Sequence, residues 1–303
     1  MSINFSVIMP AYNVEPYIRD AIGSVLAQSY PNFELIIVND GSTDNTALAI
    51  SEFSDPRIKV VHQSNRGLGA TRNVGISHSV NEYIAFLDSD DIWRADKLQN
   101  VVSNIGHDYS GVYYSNVIEF IGELSNGIPS RYTEPVPERE IKDLILIYDF
   151  IIVSSAVVPR VVIKEFGGFQ EDLHGTEDWD LWIKIGQKYT FKKIPQYDCF
   201  YRINQNGLSK NRKEFLKKEY KVIKKHLIDG NLGTTEIKNM ALWVWYKKNF
   251  YYSILSLSPL SASQYFLKML WTNPLHPANF DFIMRAYRKS LKLLKSKLGY
   301  ETA

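Results

Sequence analysis

Tyr83-Ile-Ala-Phe-Leu-Asp-Ser-Asp-Asp-Ile-Trp93 is the stretch on which the reading of the whole chain turns. Five residues of strand-forming, apolar character run straight into three carboxylates within four positions. An apolar run this short, with no polar alternation, is expected of a strand covered on both faces. The acids after it repel one another, so they belong at a strand end where a cation can relieve them. Earlier segments repeat the pattern. Phe5-Ser-Val-Ile-Met9 closes at Pro10, Phe33-Glu-Leu-Ile-Ile-Val38 closes at Asn39-Asp40-Gly41-Ser42, and Ile58-Lys-Val-Val61 is a third strand.

Helical segments fill the gaps. From Glu15 to Gln28, Ile18, Ile22, Val25 and Leu26 share one face. A second helix is expected from Asn45 to Phe53, capped from Ser42-Thr43-Asp44, and Gly67 to Ser77 reads as a loop and helix. Strands alternating with helices imply a parallel sheet with crossover connections. Ligands of such sheets bind beyond the carboxyl ends of the strands. Pro10-Ala11-Tyr12, Asn39-Asp40 and Asp88-Ser89-Asp90 all follow strands and should converge on one crevice.

The later chain is less regular. Val112 to Phe120 reads as a strand and Ser125 to Glu138 as a polar excursion. Gly167-Gly168-Phe169 is a turn, and Thr176 to Lys188 is a helix carrying Trp179, Leu181, Trp182 and Ile185. Past Lys210 the sequence becomes lysine-rich and helical. The expected division is a domain over residues 1–210 and a basic helical region over 211–303. Net charge follows it: residues 205–303 carry 18 basic and 6 acidic side chains, against 17 and 27 in the rest.

Composition is that of a soluble globular protein, with 45% apolar and 22% charged residues in 303. The lone cysteine, Cys199, offers no intramolecular disulfide and reads as a core hydrophobe in a buried strand. The start of the chain does not resemble a signal peptide. Met240 to Leu257, the most apolar stretch, is broken by Lys247-Lys248-Asn249, so no transmembrane span is expected. The expectation is a cytoplasmic protein.

Asp88, Asp90 and Asp91 offer hard oxygen ligands of the kind that hold Mg²⁺ or Mn²⁺ with substrate phosphates. Asp40 either shapes its turn or accepts a base or ribose proton. Arg72 is either an ion-pair partner or a planar fork for a base or phosphate. Glu177-Asp178-Trp179-Asp180 is open to two readings. It is an acid-rich helix start favoured by the helix dipole, or it holds a carboxylate near apolar rings, made a better base by desolvation.

Four segments in this order resemble the family 2 glycosyltransferases of the GT-A fold. They are Val7-Ile-Met-Pro-Ala-Tyr-Asn13, Ile37-Val-Asn-Asp-Gly-Ser-Thr-Asp44, Asn65-Arg-Gly-Leu-Gly-Ala-Thr-Arg-Asn73 and Phe86-Leu-Asp-Ser-Asp-Asp-Ile-Trp93. The likeness is close over about residues 5–95 and looser through Thr176-Glu-Asp-Trp-Asp180 to Ser209. It implies an α/β fold, a mixed and mostly parallel sheet flanked by helices, with a C-terminal helical extension. It implies an inverting transferase that moves a sugar from a nucleoside diphosphate, UDP above all, to a glycan or lipid-linked acceptor of cell-surface polysaccharide.

The resemblance also assigns roles. Pro10, Ala11 and Tyr12 would line the base site, Asp40 would bind the base, and Arg72 would lie near base or diphosphate. Asp88 would contact ribose and Asp90 would bind Mn²⁺ or Mg²⁺. Asp178, beside Glu177, would be the catalytic base. Gly168, Trp182, Arg202, Asn204 and Ser209 would belong to the acceptor or diphosphate region. Asn204 stands where the family often has a histidine, which leaves Arg202 or Ser209 to anchor the diphosphate.

Two other readings compete. A dinucleotide-binding dehydrogenase would need a Gly-x-Gly-x-x-Gly turn after the first strand, and Pro10-Ala-Tyr-Asn-Val-Glu15 has no glycine. A non-catalytic sugar-nucleotide binder would keep Asp40 and Asp90 without needing Asp178. At the C-terminus, Met284, Tyr287, Leu291, Leu294 and Leu298 form a stripe beside lysines and arginines. Such a helix packs on a domain or lies on an anionic membrane. No nucleic-acid recognition motif accompanies the charge.

Overall fold

Phe5–Ala11 (β1) and Phe33–Asp40 (β2) are buried at every position. They pair in parallel from Phe5 opposite Phe33 to Ala11 opposite Asn39. Continuous apolar sequence and two-sided burial are the same fact here, because such a strand has no solvent face to mark with polar residues. The structure is a computed structural model and describes residues 3–105, 111–130, 138–204 and 211–273.

The chain divides into two units, one of residues 1–145 and 149–207, the other of 146–148 and 208–303. In the first, α1 (Glu15–Leu26) and α2 (Thr46–Ser51) follow β1 and β2. Asp44 serves both helices. Its Oδ1 accepts from Thr46 N at 3.0 Å and its Oδ2 from Glu15 N at 3.2 Å. Next come β3 (Ile58–Gln63), α3 (Leu68–His78), β4 (Tyr83–Phe86), β5 (Ile92–Trp93) and α4 (Lys97–Asn104). After them lie β6 (Val112–Phe120), β7 (Ile128–Pro129), α5 (Glu138–Ile147), β8 (Ala156–Pro159), α6 (Arg160–Glu165), α7 (Glu177–Gly186) and β9 (Phe191–Arg202).

The sheet order is β3-β2-β1-β4-β8-β6-β9-β5, with β7 on β6. Strands β1 to β4 are mutually parallel, β9 is parallel to β6, and β8, β5 and β7 run antiparallel to their neighbours. The sheet is therefore mixed but mostly of one direction, as expected. From β1 the chain builds outward to β3, then returns to place β4 on the other flank of β1. That reversal is a switch point, where the loops beyond adjacent strands splay apart and leave a crevice. The loops after β1 and β4 carry Tyr12 and Asp88–Asp91.

On one face of the sheet, Val7, Met9, Leu35 and Ala85 join Ile18, Ile22, Trp93 and Cys199 in one core cluster. Burial pushes the Cys199 thiol well above its ordinary range, which suits a core residue and not a nucleophile. In the second unit, α8 (Arg212–Ile223), α9 (Thr235–Leu255) and α10 (Pro259–Thr272) follow. Trp243, Phe250, Ala262 and Met269 form its own small core. No described helix is long and apolar enough to cross a membrane. Ser209 and the stripe from Met284 to Leu298 lie outside the described residues.

Gly75 of α3 lies against Ile8 of β1, and a β-carbon there would collide with the Ile8 side chain. Gly75→Val is expected to cost about 1–3 kcal/mol through overpacking. A urea midpoint equal to that of the parent would contradict this close helix-to-sheet contact.

Candidate active site

Tyr12 stands just beyond β1 and is 47% exposed, whereas Ala11 before it is buried. An exposed ring beside the switch point offers a flat face to a ligand. On the neighbouring strand, Asp40 ends β2 and is turned inward. Its Oδ1 accepts from Gln63 Nε2 at 2.6 Å and Arg66 N at 2.8 Å, and its Oδ2 from Gly67 N at 2.9 Å. A carboxylate has about four acceptor positions, so roughly one remains for a ligand. The other three hold the loop that leads into α3.

Arg72 is 1% exposed and spans the site floor. Its NH2 donates to Asp88 Oδ1 at 2.7 Å and its NH1 to Glu177 Oε1 at 2.6 Å. The guanidinium lies 5.3 Å from the centre of the Phe169 ring. Burial alone would lower its pKa, but Asp88, Glu177 and Asp178 hold it protonated and push it up. Of the two sequence readings, the structure shows the ion pair. Both terminal nitrogens are committed to carboxylates, so Arg72 joins two loops from beneath.

Glu177 is equally committed. It is buried, and its Oε2 also accepts from Gly175 N. Asp178, one residue on, is only partly covered. Its Oδ1 accepts from Trp179 N at 2.9 Å. Desolvation, then the charge of Glu177, push its carboxyl up to about 7, against the pull of Arg72. Glu177 thus braces the start of α7, and Asp178 is the carboxylate poised to exchange a proton near neutral pH.

The acidic loop after β4 divides its labour. Asp91 is fully buried, accepting from Ser154 Oγ at 2.5 Å and from Arg202 N at 2.9 Å. Asp88 N in turn donates to Ser154 Oγ at 3.0 Å. One hydroxyl therefore ties both ends of the loop. Asp88 and Asp90 keep partly open side chains. Burial, then Asp88, push the Asp90 carboxyl up to about 6. Among the described residues no group of three His, Cys, Asp or Glu could hold a metal by itself. The donors suit a divalent cation that takes one or two carboxylates and completes its shell with phosphate oxygens.

Arg202 closes the far side. Its Nε donates to Asp90 O at 2.8 Å, and its guanidinium lies 4.8 Å from the Tyr17 ring centre and 4.6 Å from that of Phe120. Asn204 lies just past the end of β9, half-buried. Two of the expected site residues have structural tasks. Trp182 is fully buried, with its indole N–H on Ile151 O at 3.3 Å, so it packs the core. Gly168 has φ +75° and lies so close to Asn73 that a β-carbon would meet Asn73 Oδ1 at 2.5 Å. It lets the 167–169 turn dock on α3, where Asn73 both donates to Phe169 O and accepts from Phe169 N at 2.8 Å. Sequence reasoning missed Ser154. It belongs to no motif and sits in a stretch without periodicity, so only its contacts reveal it.

The fold is shared with solved structures. TarS of S. aureus, residues 1–349 in complex with UDP-GlcNAc, matches with a TM-score of 0.60 at 16% identity over 91% of this chain and 93% of that one. The mannosyltransferase PcManGT from Pyrobaculum calidifontis, in complex with GDP-Man and Mn²⁺, matches at 0.56 and 18% identity over 96% and 88%. These likenesses define an α/β protein of the GT-A type. The model of glycosyl transferase family 2 matches residues 6–167. WfgD of Escherichia coli, a UDP-Glc:alpha-D-GlcNAc-diphosphoundecaprenol beta-1,3-glucosyltransferase, is 34% identical over 221 residues, 72% of this chain and 84% of WfgD. An uncharacterized glycosyltransferase of Rickettsia felis is 35% identical over 190 residues, but this chain spans only 31% of its length. The chain belongs to glycosyl transferase family 2.

Removing Arg72 leaves Glu177 buried without a counter-charge, so Arg72→Ala is expected to cost about 3–5 kcal/mol. Ser154→Ala, which strips the loop of one shared hydroxyl, is expected to cost about 1–3 kcal/mol. Equilibrium unfolding in urea measures both, and equal losses would contradict the ranking.

Proposed function

We propose that this chain is an inverting glycosyltransferase. It moves a sugar from a UDP-linked donor to a glycan or lipid-linked acceptor in cell-surface polysaccharide synthesis. The catalytic work falls to residues 1–210. One observation carries the reading: a partly exposed carboxylate held near neutrality, Asp178, is bridged through Glu177 and Arg72 to the acidic loop of Asp88 and Asp90. The printed activity of WfgD supports the UDP donor and the lipid-linked acceptor.

The roles follow from what each side chain has free. Tyr12 stacks on the base, with buried Pro10 and Ala11 setting the strand end beneath it, and Asp40 uses its remaining acceptor position there. Asp88 receives a ribose hydroxyl while Arg72 holds its other oxygen. Asp90, with Asp88 beside it, would hold Mn²⁺ or Mg²⁺. The bound cation would offset the charge that develops on the departing diphosphate. Arg202 holds the Asp90 backbone in register.

Asp178 takes the proton from the acceptor hydroxyl. The freed oxygen electrons form the new bond to the anomeric carbon as the bond to the diphosphate oxygen breaks. Attack from the face opposite the leaving group inverts the configuration in a single displacement. A carboxyl at about 7 accepts that proton more readily than an ordinary one near 4. With a lipid-linked acceptor, the chain would work at the inner face of the cell membrane, reached through its basic C-terminal helices.

Asp178→Asn is expected to lower turnover by about 10²–10⁴-fold while leaving donor binding intact. The parent rate should rise with pH as Asp178 ionises, with a midpoint near 7. Full residual activity in the variant would reject Asp178 as the base. Calorimetry with UDP and Mn²⁺ should show metal-enhanced binding that Asp90→Ala removes. Enhancement that survives the substitution would reject Asp90 as the ligand.

A further inference from the structure

Helix α10, Pro-Leu-Ser-Ala-Ser-Gln-Tyr-Phe-Leu-Lys-Met-Leu-Trp-Thr from Pro259 to Thr272, is apolar on two opposite faces. Ala262 and Met269 face inward, with Tyr265 and Phe266 packed beside them against the small core of its unit. Leu260, Leu267 and Trp271 recur at intervals of seven and four. At 3.6 residues per turn they fall on one line along the helix. All three face solvent, at 73%, 65% and 87% exposure. Leu255 and Leu257, at the turn into α10, are also exposed. A helix apolar on both faces is normally covered on both.

The charge balance of residues 211–273 bears on what covers the outer face. Helix α10 holds no acid, and its one base, Lys268, lies over the Tyr246 and Tyr265 rings at 5.6 and 5.9 Å. Residues 211–273 carry 11 basic and 4 acidic side chains. Three of those acids are already paired, Glu214 with Lys217, Asp229 with Lys224 and Glu219 with Lys248. The surplus is therefore positive and uncompensated within the unit. A second copy of this chain would bring the same surplus against it. An anionic lipid surface offers the opposite charge, an apolar layer for the leucines and an interface that favours tryptophan.

We propose that Leu260, Leu267 and Trp271 form a membrane-docking face that inserts into the headgroup region of an anionic bilayer. This deepens the membrane contact proposed above by naming the surface. It does not depend on the transferase reading, because lipid binding is read without donor or acceptor.

The test is co-sedimentation of the full chain with vesicles of phosphatidylcholine alone or mixed with phosphatidylglycerol. Binding to the mixed vesicles only, weakened by added salt, is expected. Leu267→Ser/Trp271→Ser should weaken it by roughly tenfold or more, with the thermal midpoint and donor binding unchanged. Leu260→Ser serves as a second variant should the double one unfold. Wild-type vesicle binding by the folded variants would overturn the proposal. So would a parent dimer, seen by light scattering, that the same substitutions convert to monomer while lipid binding persists. Failure of the transferase reading would appear separately, as absent sugar transfer by a chain that still binds vesicles.

Discussion

A single buried guanidinium holds the site together. Arg72 sits between Asp88, at the end of β4, and Glu177, at the start of α7. These residues are far apart in sequence, and both are negative. Without a cation between them, Asp88, Glu177 and Asp178 would repel, and the two loops would part. With it, the acidic loop and the start of α7 are tied to one group. Breaking one arm of such a bridge leaves a charge buried and alone, which is costlier than the net worth of the intact pair.

Helix α3 supplies that group, and its short sequence has a task at nearly every turn. Gly75 lets it lie against β1. Asn73 clamps the turn at Phe169. Asp40 fastens the loop that feeds it. Arg72 then points where the surrounding contacts aim it. The pKa values of the site follow from this geometry. Burial and Glu177 raise Asp178 while Arg72 restrains it, so the carboxyl settles near 7 and not at either extreme. The same guanidinium that joins the two loops also draws the Asp178 carboxyl down against burial and Glu177.

Much of this was legible in the sequence. Apolar runs ending in Pro10, Asn39 and Asp88 marked the parallel strands, because strands buried on both faces have no alternation to hide them. Between 106 and 175 the sequence marks the strand at Val112–Phe120 and the turn at Gly167-Gly168, and little else. Strands β7 and β8 are short, and Ser154 acts through a contact across the fold that no spacing encodes. The core packing of Trp182 was not legible, because an aromatic residue near an acidic pair reads alike whether it lines a site or fills a core. On residue chemistry alone Glu177 and Asp178 read alike, and only the family resemblance singled out Asp178. In the structure, burial separates the carboxylate that braces from the one left partly open. Arg72 illustrates the same limit, since a guanidinium suits a phosphate and a carboxylate equally well until its neighbours are known.

The central claim is that this network leaves Asp178 poised near neutrality. Carboxyl ¹³C NMR titration of the full chain, with the Asp178 signal identified by its loss in Asp178→Asn, tests it most directly. An apparent pKa near 7 is expected. A value in the ordinary range near about 4 would contradict the account.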